Sequence, residues 1–285
     1  MSSLTKPTHL KKLCRQYNLN PSKRYGQNFL ITEKPVQEMI KAADVNNKDT
    51  VIEIGPGFGV LTFPLAEKGK KVLALEIEKK LKPHWEEKLK DNKNIEIVWG
   101  NALKNLSRIT HSFHSGPPAY KLSNYKVVAN LPYQITSHAI RTILELENKP
   151  EVIVLMVQQE VADRICAVPG DMSLLAVSVH YYGKPEFIKK IKKGCFWPEP
   201  KVDSAIIKIT PKKKLPVDKE FEKKFFEMVK AGFANKRKQL AGNLSKGLNI
   251  EKSKIDQILI EQVGDSKVRA EDLSLQDWLG LTSRI

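Results

Sequence analysis

The stretch Asn130-Leu131-Pro132-Tyr133 combines groups that could act on an aromatic amine. It follows two valines and an alanine at 127–129, which have the composition of the end of a buried strand. The side-chain oxygen of Asn130 and the carbonyl of Leu131 are acceptors for the two N–H bonds of an exocyclic amine. Pro132 fixes φ and carries no N–H, and the ring of Tyr133 offers a stacking face. These residues predict a site that orients an adenine amine for methylation.

A glycine-rich turn follows an earlier candidate strand, 50–54. Gly55, Gly57 and Gly59 stand in the order G-P-G-F-G, and glycine allows a backbone to approach a ligand closely. This spacing, with Glu53 in front of it, is typical of S-adenosylmethionine enzymes and differs from the dinucleotide pattern G-x-G-x-x-G. We therefore predict that Gly55 and Gly57 contact S-adenosylmethionine.

Two further strand ends carry polar side chains that suit the same cofactor. Glu76 ends the run 71–76, where an acid is expected to accept hydrogen bonds from both ribose hydroxyls. Asn101 follows the run 94–98, and its amide oxygen is expected to accept from the adenine amino group. Downstream, the aromatic and proline-rich loop 195–205 suggests that Phe196 is a second stacking surface for a flipped base.

The charge of the chain points to a polyanionic partner. Lys and Arg together number 48 and Asp and Glu 32, which gives a formal net charge of +16. A surplus of this size favours nucleic acid, although a lysine-rich solvated surface is the alternative reading. The predicted RNA contacts lie in basic segments, and they are Lys23, Arg24, Lys201, Lys236, Arg237 and Lys238.

Other features exclude several classes of protein. No apolar run approaches the ~20 residues of a membrane-spanning helix, and the first 30 residues lack a secretory signal. Cys14, Cys166 and Cys195 are widely spaced and form no C-x-x-C pair, so we expect free structural thiols and no metal site. We expect a cytoplasmic monomer without membrane contact; a basic beginning leaves an organellar location open.

The elements that position these residues alternate between strands and helices. Candidate strands cover 50–54, 71–76, 94–98, 126–129 and 152–157, and amphipathic segments 60–69, 79–90 and 136–147 lie between them. This alternation predicts an α/β fold with a mostly parallel sheet that is covered on both faces. Runs 174–182 and 203–210 follow without a long helix between them, and we predict an antiparallel hairpin at the sheet edge.

A proline- and lysine-rich linker at 209–218 predicts a change of domain. We assign 1–211 to a methyltransferase domain and 212–285 to a small all-α domain that binds RNA. Within the second domain, 221–234 and 254–264 have helical periodicity, and Gly264 is expected to end a helix.

These motifs together resemble the ribosomal RNA adenine dimethyltransferase family, of the bacterial small-subunit type. The resemblance rests on KRYGQNFL, EIGPGFGVLT, LEIE, NLPY, VQQEVADR, FWPEPKVDSA and NKRKQL, which span nearly the whole chain. It implies a Rossmann-like class I methyltransferase domain with a C-terminal helical domain. It also implies N6-dimethylation of two adjacent adenines in the 3′-terminal hairpin loop of 16S ribosomal RNA, and an assembling small subunit as partner. It also implies a set of cofactor ligands, namely Asn28, Leu30, Gly55, Glu76, Asn101 and Asn130.

The chain departs from the family pattern at one of these ligands and in one loop. Asn101 stands where the family usually has an aspartate, so we expect weaker cofactor binding. The segment 111–125 resembles an insertion and is interpreted as a surface loop. Three alternatives stay open: a large-subunit ribosomal RNA adenine methylase, a DNA adenine methylase, and a factor for ribosome assembly or transcription in which the fold only binds.

Overall fold

A computed structural model describes residues 3–21, 28–110, 122, 124–213 and 218–285 of the chain. The predicted RNA contacts Lys23 and Arg24 and nearly all of the loop 111–125 lie outside these residues. Contacts divide the chain into two compact units. The first contains 1–162 and 186–211, and the second contains 163–185 and 212–285.

The first unit is built around a seven-stranded sheet with the order β4-β3-β2-β5-β6-β9-β7. Its strands are β2 (Thr50–Ile54), β3 (Lys71–Glu76), β4 (Ile95–Trp99), β5 (Tyr125–Asn130), β6 (Val152–Gln158), β7 (Gly183–Ile191) and β9 (Ser204–Pro211). The first five listed pair in parallel, and β9 runs antiparallel to β6. The predicted α/β class with a mostly parallel sheet is therefore confirmed.

The strands form where the sequence is rich in valine, isoleucine and leucine, because both faces of the sheet are covered. Val152–Val157 are buried throughout, and Val127–Ala129 are fully buried beside them. One charged side chain inside this layer is neutralised: Lys126 Nζ lies 2.8 Å from Asp49 Oδ2. A second, two-stranded ribbon pairs β1 (Phe29–Leu30) with β8 (Phe196–Trp197).

Helices precede and connect the strands of the first unit. They are α1 (Pro7–Gln16), α2 (Lys34–Ala43), α3 (Thr62–Lys68), α4 (Lys82–Lys88), α5 (Ala102–Thr110) and α6 (Thr136–Leu144), and α7 (Gln159–Ile165) leads out of the unit. The strand order reverses at β2, whose neighbours are β3 on one side and β5 on the other. The carboxyl ends of β2 and β5 therefore leave a crevice between them, the usual ligand position in such sheets.

The predicted strand at 174–182 is wrong, because this run forms the helix α8 (Leu174–Tyr182). Ser173 caps the helix by accepting a hydrogen bond from the Ala176 amide at 3.2 Å. The buried face of α8 packs inside the second unit, where the Tyr181 and Phe225 rings stack with centroids 4.7 Å apart. Its continuous apolar composition suits burial in either kind of element, so periodicity alone did not separate them.

In its described residues, the second unit contains α8 together with α9 (Lys219–Gly232), α10 (Leu240–Leu248), α11 (Lys252–Val263) and α12 (Leu275–Arg284). Phe225, Leu240, Leu259 and Trp278 are fully buried in its core. Gly264 ends α11 with a φ of 87°, as predicted. The predicted single boundary at 211/212 differs from this grouping, since 163–185 also belongs to the second unit. Within the described ranges, none of the helices has the length and apolar composition needed to cross a bilayer.

Candidate active site

A cleft opens at the carboxyl ends of the parallel strands of the first unit. The loop after β5, the glycine turn after β2 and the ends of β3 and β4 form its wall. The predicted residues that line it are Asn28, Leu30, Gly55, Gly57, Glu76, Asn101, Asn130, Leu131, Pro132 and Tyr133. The sheet topology thus brings together residues that are up to 105 positions apart in the sequence, from Asn28 to Tyr133.

The glycine turn between β2 and α3 needs residues without a Cβ atom. Gly55 and Gly57 have φ values of 75° and 55°, in the left-handed region that side chains disfavour. A Cβ on Gly57 would lie 3.1 Å from the Phe29 ring. The turn therefore exposes backbone to the cleft with no side chain in the way.

Glu76 is held beside this turn by two backbone amides. Its Oε2 accepts from the Gly57 N–H at 3.1 Å, and its Oε1 accepts from the Glu78 N–H at 2.7 Å. Burial raises the pKa of this carboxyl, and the hydrogen bonds from Glu78 and Gly57 oppose that rise. Glu76 therefore links the end of β3 to the glycine turn and presents a fixed pair of acceptor oxygens to the cleft.

Glu53 is a lining residue that the sequence interpretation mentioned but did not assign to the site. It is 2% exposed, and its Oε2 makes no hydrogen bond to the described residues. Burial, with a smaller contribution from the charge of Glu76, raises the pKa of Glu53 to about 8. The sequence signal for this role was the acid two residues before Gly55, because an acid in a buried strand needs a partner.

The side-chain oxygen of Asn101 has a different role from the one predicted. It accepts hydrogen bonds from the Leu103 N–H at 3.0 Å and the Lys104 N–H at 3.2 Å. Asn101 therefore caps the first turn of α5. An amide oxygen has two lone pairs, and both are used here, so the predicted acceptance from an adenine amino group is not available in this arrangement.

Asn130 lies at the end of β5, with its amide orientation fixed by a neighbour. Its Nδ2 donates to the Asn28 carbonyl at 3.3 Å. Because a carbonyl can only accept, the nitrogen must face Asn28 and the oxygen Oδ1 must face away from it. No described residue donates to Oδ1, so the predicted acceptor is available at the cleft.

The rest of the tetrapeptide is anchored on both sides. The Leu131 N–H donates to the Met156 carbonyl at 3.2 Å, and the Leu131 side chain is buried. The carbonyl of Leu131 receives no hydrogen bond from the described residues. The Tyr133 hydroxyl lies 2.8 Å from Ser204 Oγ. Burial raises the pKa of Tyr133, and the hydrogen bond with Ser204 lowers it to a smaller extent.

The position of Phe196 gives its predicted stacking role no support. This residue is 2% exposed and does not line the cleft. It pairs with Leu30 in the β1–β8 ribbon, and both side chains belong to the apolar core of the first unit. The neighbouring Trp197 is partly exposed and stacks near Phe29 with ring centroids 6.4 Å apart.

The predicted RNA contacts that the structure describes are exposed. Lys201 lies in the first unit before β9, and Lys236, Arg237 and Lys238 lie in the loop between α9 and α10 of the second unit. The loop forms one weak ion pair, between Lys236 and Glu271 at 3.9 Å. In the described part of the chain, no group of three histidine, cysteine or acidic residues could hold a metal ion.

Comparison with known proteins finds relatives of the same kind that match nearly the whole chain. The family model for ribosomal RNA adenine dimethylase matches residues 18–285. Ribosomal RNA small subunit methyltransferase A of Dehalococcoides mccartyi is 39% identical, over 94% of this chain and 89% of the relative. The protein of the same name from Moorella thermoacetica is 38% identical, over 99% of this chain and 98% of the relative.

Two solved structures share the fold across both units. The 23S rRNA methyltransferase ErmE has a TM-score of 0.71 and 26% identity, and the match covers 90% of this chain and 99% of that one. A dimethyladenosine transferase from Plasmodium falciparum has a TM-score of 0.72 and 26% identity, covering 88% and 95%.

Proposed function

This chain belongs to the ribosomal RNA adenine dimethylase family, and we propose that it uses S-adenosylmethionine to dimethylate adenines of small-subunit ribosomal RNA at N6. The targets are two adjacent adenines in the 3′-terminal hairpin loop of the ribosomal RNA in the assembling subunit. The observation that carries the proposal is Asn130, whose bond to the Asn28 carbonyl leaves Oδ1 as an acceptor in the cleft.

The cleft suits a cationic nucleoside cofactor. Glu53 lines the cleft, and its buried Oε2 has no hydrogen-bond partner among the described residues. A bound cation would favour the charged form of this carboxyl, and the turn at Gly55 and Gly57 admits close approach of a ligand. Glu76 is the proposed partner of the ribose hydroxyls, and Asn28 and Leu30 are further proposed ligands that line the same cleft. When bound, S-adenosylmethionine supplies a sulfonium methyl group as the electrophile.

Asn130 and Leu131 act on the nucleophile. The adenine amine is a weak nucleophile because its lone pair is delocalised into the ring. Hydrogen bonds from the amine to Asn130 Oδ1 and to the Leu131 carbonyl favour a pyramidal nitrogen and hold it in place. Tyr133 stacks on the base, and Pro132 keeps the backbone free of a competing N–H at this point.

Exposed cations are proposed to hold the ribosomal RNA. Lys201 in the first unit and Lys236, Arg237 and Lys238 in the second are exposed side chains that can neutralise phosphates. The preference for the small subunit is supported by the relatives named for that particle, which are 34–40% identical, against 26% for the large-subunit enzyme.

The proposal is tested by offering labelled S-adenosylmethionine with unmethylated small or large ribosomal subunits, followed by nucleoside mass spectrometry. Dimethyladenosine in small subunits alone is the expected result. Dimethyladenosine in large subunits would favour the large-subunit alternative. Cofactor binding without methylated adenosine in either particle would favour a factor that only binds.

A further inference from the structure

Ser204 touches the proposed reaction site from a distant part of the sequence. Its side chain is fully buried, and its hydroxyl lies 2.8 Å from the Tyr133 hydroxyl, 71 residues away along the chain. The side chain of Tyr133 is among those that line the cleft. A hydrogen bond at this distance fixes the far end of the Tyr133 ring.

The antiparallel direction of β9 explains how Ser204 reaches this place. Parallel strands present their carboxyl ends to the cleft, whereas an antiparallel strand presents its beginning there. Ser204 is the first residue of β9 and pairs with Gln158 at the end of β6. Ser204 therefore reaches Tyr133 from within a strand and not from a loop.

Asp203 fixes the position of Ser204 along the sheet. The Asp203 carbonyl accepts from the Gln159 N–H at 3.0 Å. Its Oδ1 accepts from the Lys193 N–H at 2.9 Å, and its Oδ2 lies 3.0 Å from Lys190 Nζ. These bonds anchor the start of β9, so the Ser204 hydroxyl is held by backbone rather than by a flexible loop.

We propose that Ser204 is a positioning residue that holds the Tyr133 ring in the orientation needed to stack on the target base. This inference rests on the proposed function. It gives the segment 201–205 a role in the reaction that does not depend on Phe196, which is buried and does not line the cleft. Ser204 itself touches no reacting atom.

The test is a double-mutant cycle on methyl transfer with the full-length protein, using Ser204→Ala, Tyr133→Phe and the pair. Each single variant removes the same hydrogen bond, so each should lower kcat about three- to tenfold. The pair should lower kcat no further than either single variant. The KM for S-adenosylmethionine should stay unchanged. Thr110→Val is the matched control, because it removes another buried hydroxyl of the first unit, bonded to the Leu106 carbonyl at 2.8 Å.

A merely structural role for Ser204 predicts a different pattern. The effects of Ser204→Ala and Tyr133→Phe would then multiply, as those of Thr110→Val and Tyr133→Phe should. A fluorotyrosine-labelled protein gives a second readout that needs no turnover: the Tyr133 signal should shift in Ser204→Ala and stay in place in Thr110→Val. If the enzyme is active but the effects of Ser204→Ala and Tyr133→Phe on kcat multiply, or the Tyr133 signal does not shift in Ser204→Ala, only this inference is overturned. If the wild-type enzyme is inactive, the proposed function is overturned as well.

Discussion

At the scale of single residues, the number of oxygen atoms in the side chain at position 101 limits how many hydrogen bonds it can accept. Its one carboxamide oxygen already accepts from two amides of α5. An aspartate has two oxygens, so one can cap the helix while the other accepts from a ligand. The family resemblance predicted weaker cofactor binding from the difference in charge, and the structure adds that the acceptor itself is occupied.

Asn101→Asp should therefore strengthen cofactor binding. We expect the Kd of S-adenosylmethionine to fall about three- to tenfold, because a charged acceptor replaces an occupied neutral one. Calorimetric titration measures this change. Asn101→Ser is the matched control, since serine also caps a helix but offers no second oxygen. Equal affinities for the aspartate and serine variants would contradict this account of position 101.

Glu53 makes stability depend on pH through its burial. Its pKa is about 8 in the folded protein and about 4.3 in an unfolded chain. Between these values the folded state keeps a proton that the unfolded state has lost. The free energy of unfolding of the cofactor-free protein should therefore fall as the pH rises through this window.

Glu53→Gln should remove this part of the pH dependence. Urea unfolding at about pH 5.5, 6.5 and 7.5 should show a smaller decline for the variant than for the wild-type protein. The raised pKa of Glu76 acts in the same direction and supplies a remaining slope. Parallel declines in the two proteins would contradict the assignment to Glu53.

At the scale of elements, the turn between β2 and α3 depends on its backbone conformation. Gly57 combines a φ of 55° with a Phe29 carbon 3.1 Å from the position of a Cβ atom. Its N–H is also the donor to Glu76. The turn, the ribbon strand β1 and the end of β3 are therefore coupled through one residue.

Gly57→Ala should destabilise the protein by about 1–2 kcal/mol and weaken cofactor binding, because the left-handed conformation and the contact with Phe29 both oppose a Cβ. Thermal unfolding with and without S-adenosylmethionine measures both effects. Gly170→Ala is a useful control, since its φ is 106° but nothing lies within 4 Å of its Cβ position. Unchanged cofactor affinity in Gly57→Ala would contradict the proposed close approach.

The secondary-structure elements also differ in how well the sequence predicts them. Strands β2, β3 and β5 were predictable because apolar runs end in glycine or polar residues, and parallel strands gather those ends at one edge. The helix α8 was not, because its composition is apolar all round. Phe196 pairs with Leu30 from a distant part of the chain, and Ser204 contacts Tyr133 across 71 residues. No local pattern encodes either contact.

At the scale of the whole molecule, the net charge of +16 should make RNA binding strongly salt-dependent. Replacing Lys236, Arg237 and Lys238 by alanine should weaken RNA binding and reduce the logarithmic salt slope by about 2. A triple alanine variant at the exposed Lys223, Lys224 and Lys230 of α9 changes the net charge equally. Equal slopes for the two triple variants would show that the loop 236–238 has no special part in binding.

The most direct test of the whole account is a single-turnover measurement of dimethyladenosine formation by the wild-type protein and by Asn130→Ala. Both should be assayed on unmethylated small ribosomal subunits with saturating cofactor. We predict that the wild-type protein forms dimethyladenosine and that the variant is slower by about a hundredfold or more, because the amine loses an oriented acceptor. Similar rates in the two proteins would contradict the role assigned to Asn130 and the mechanism built on it.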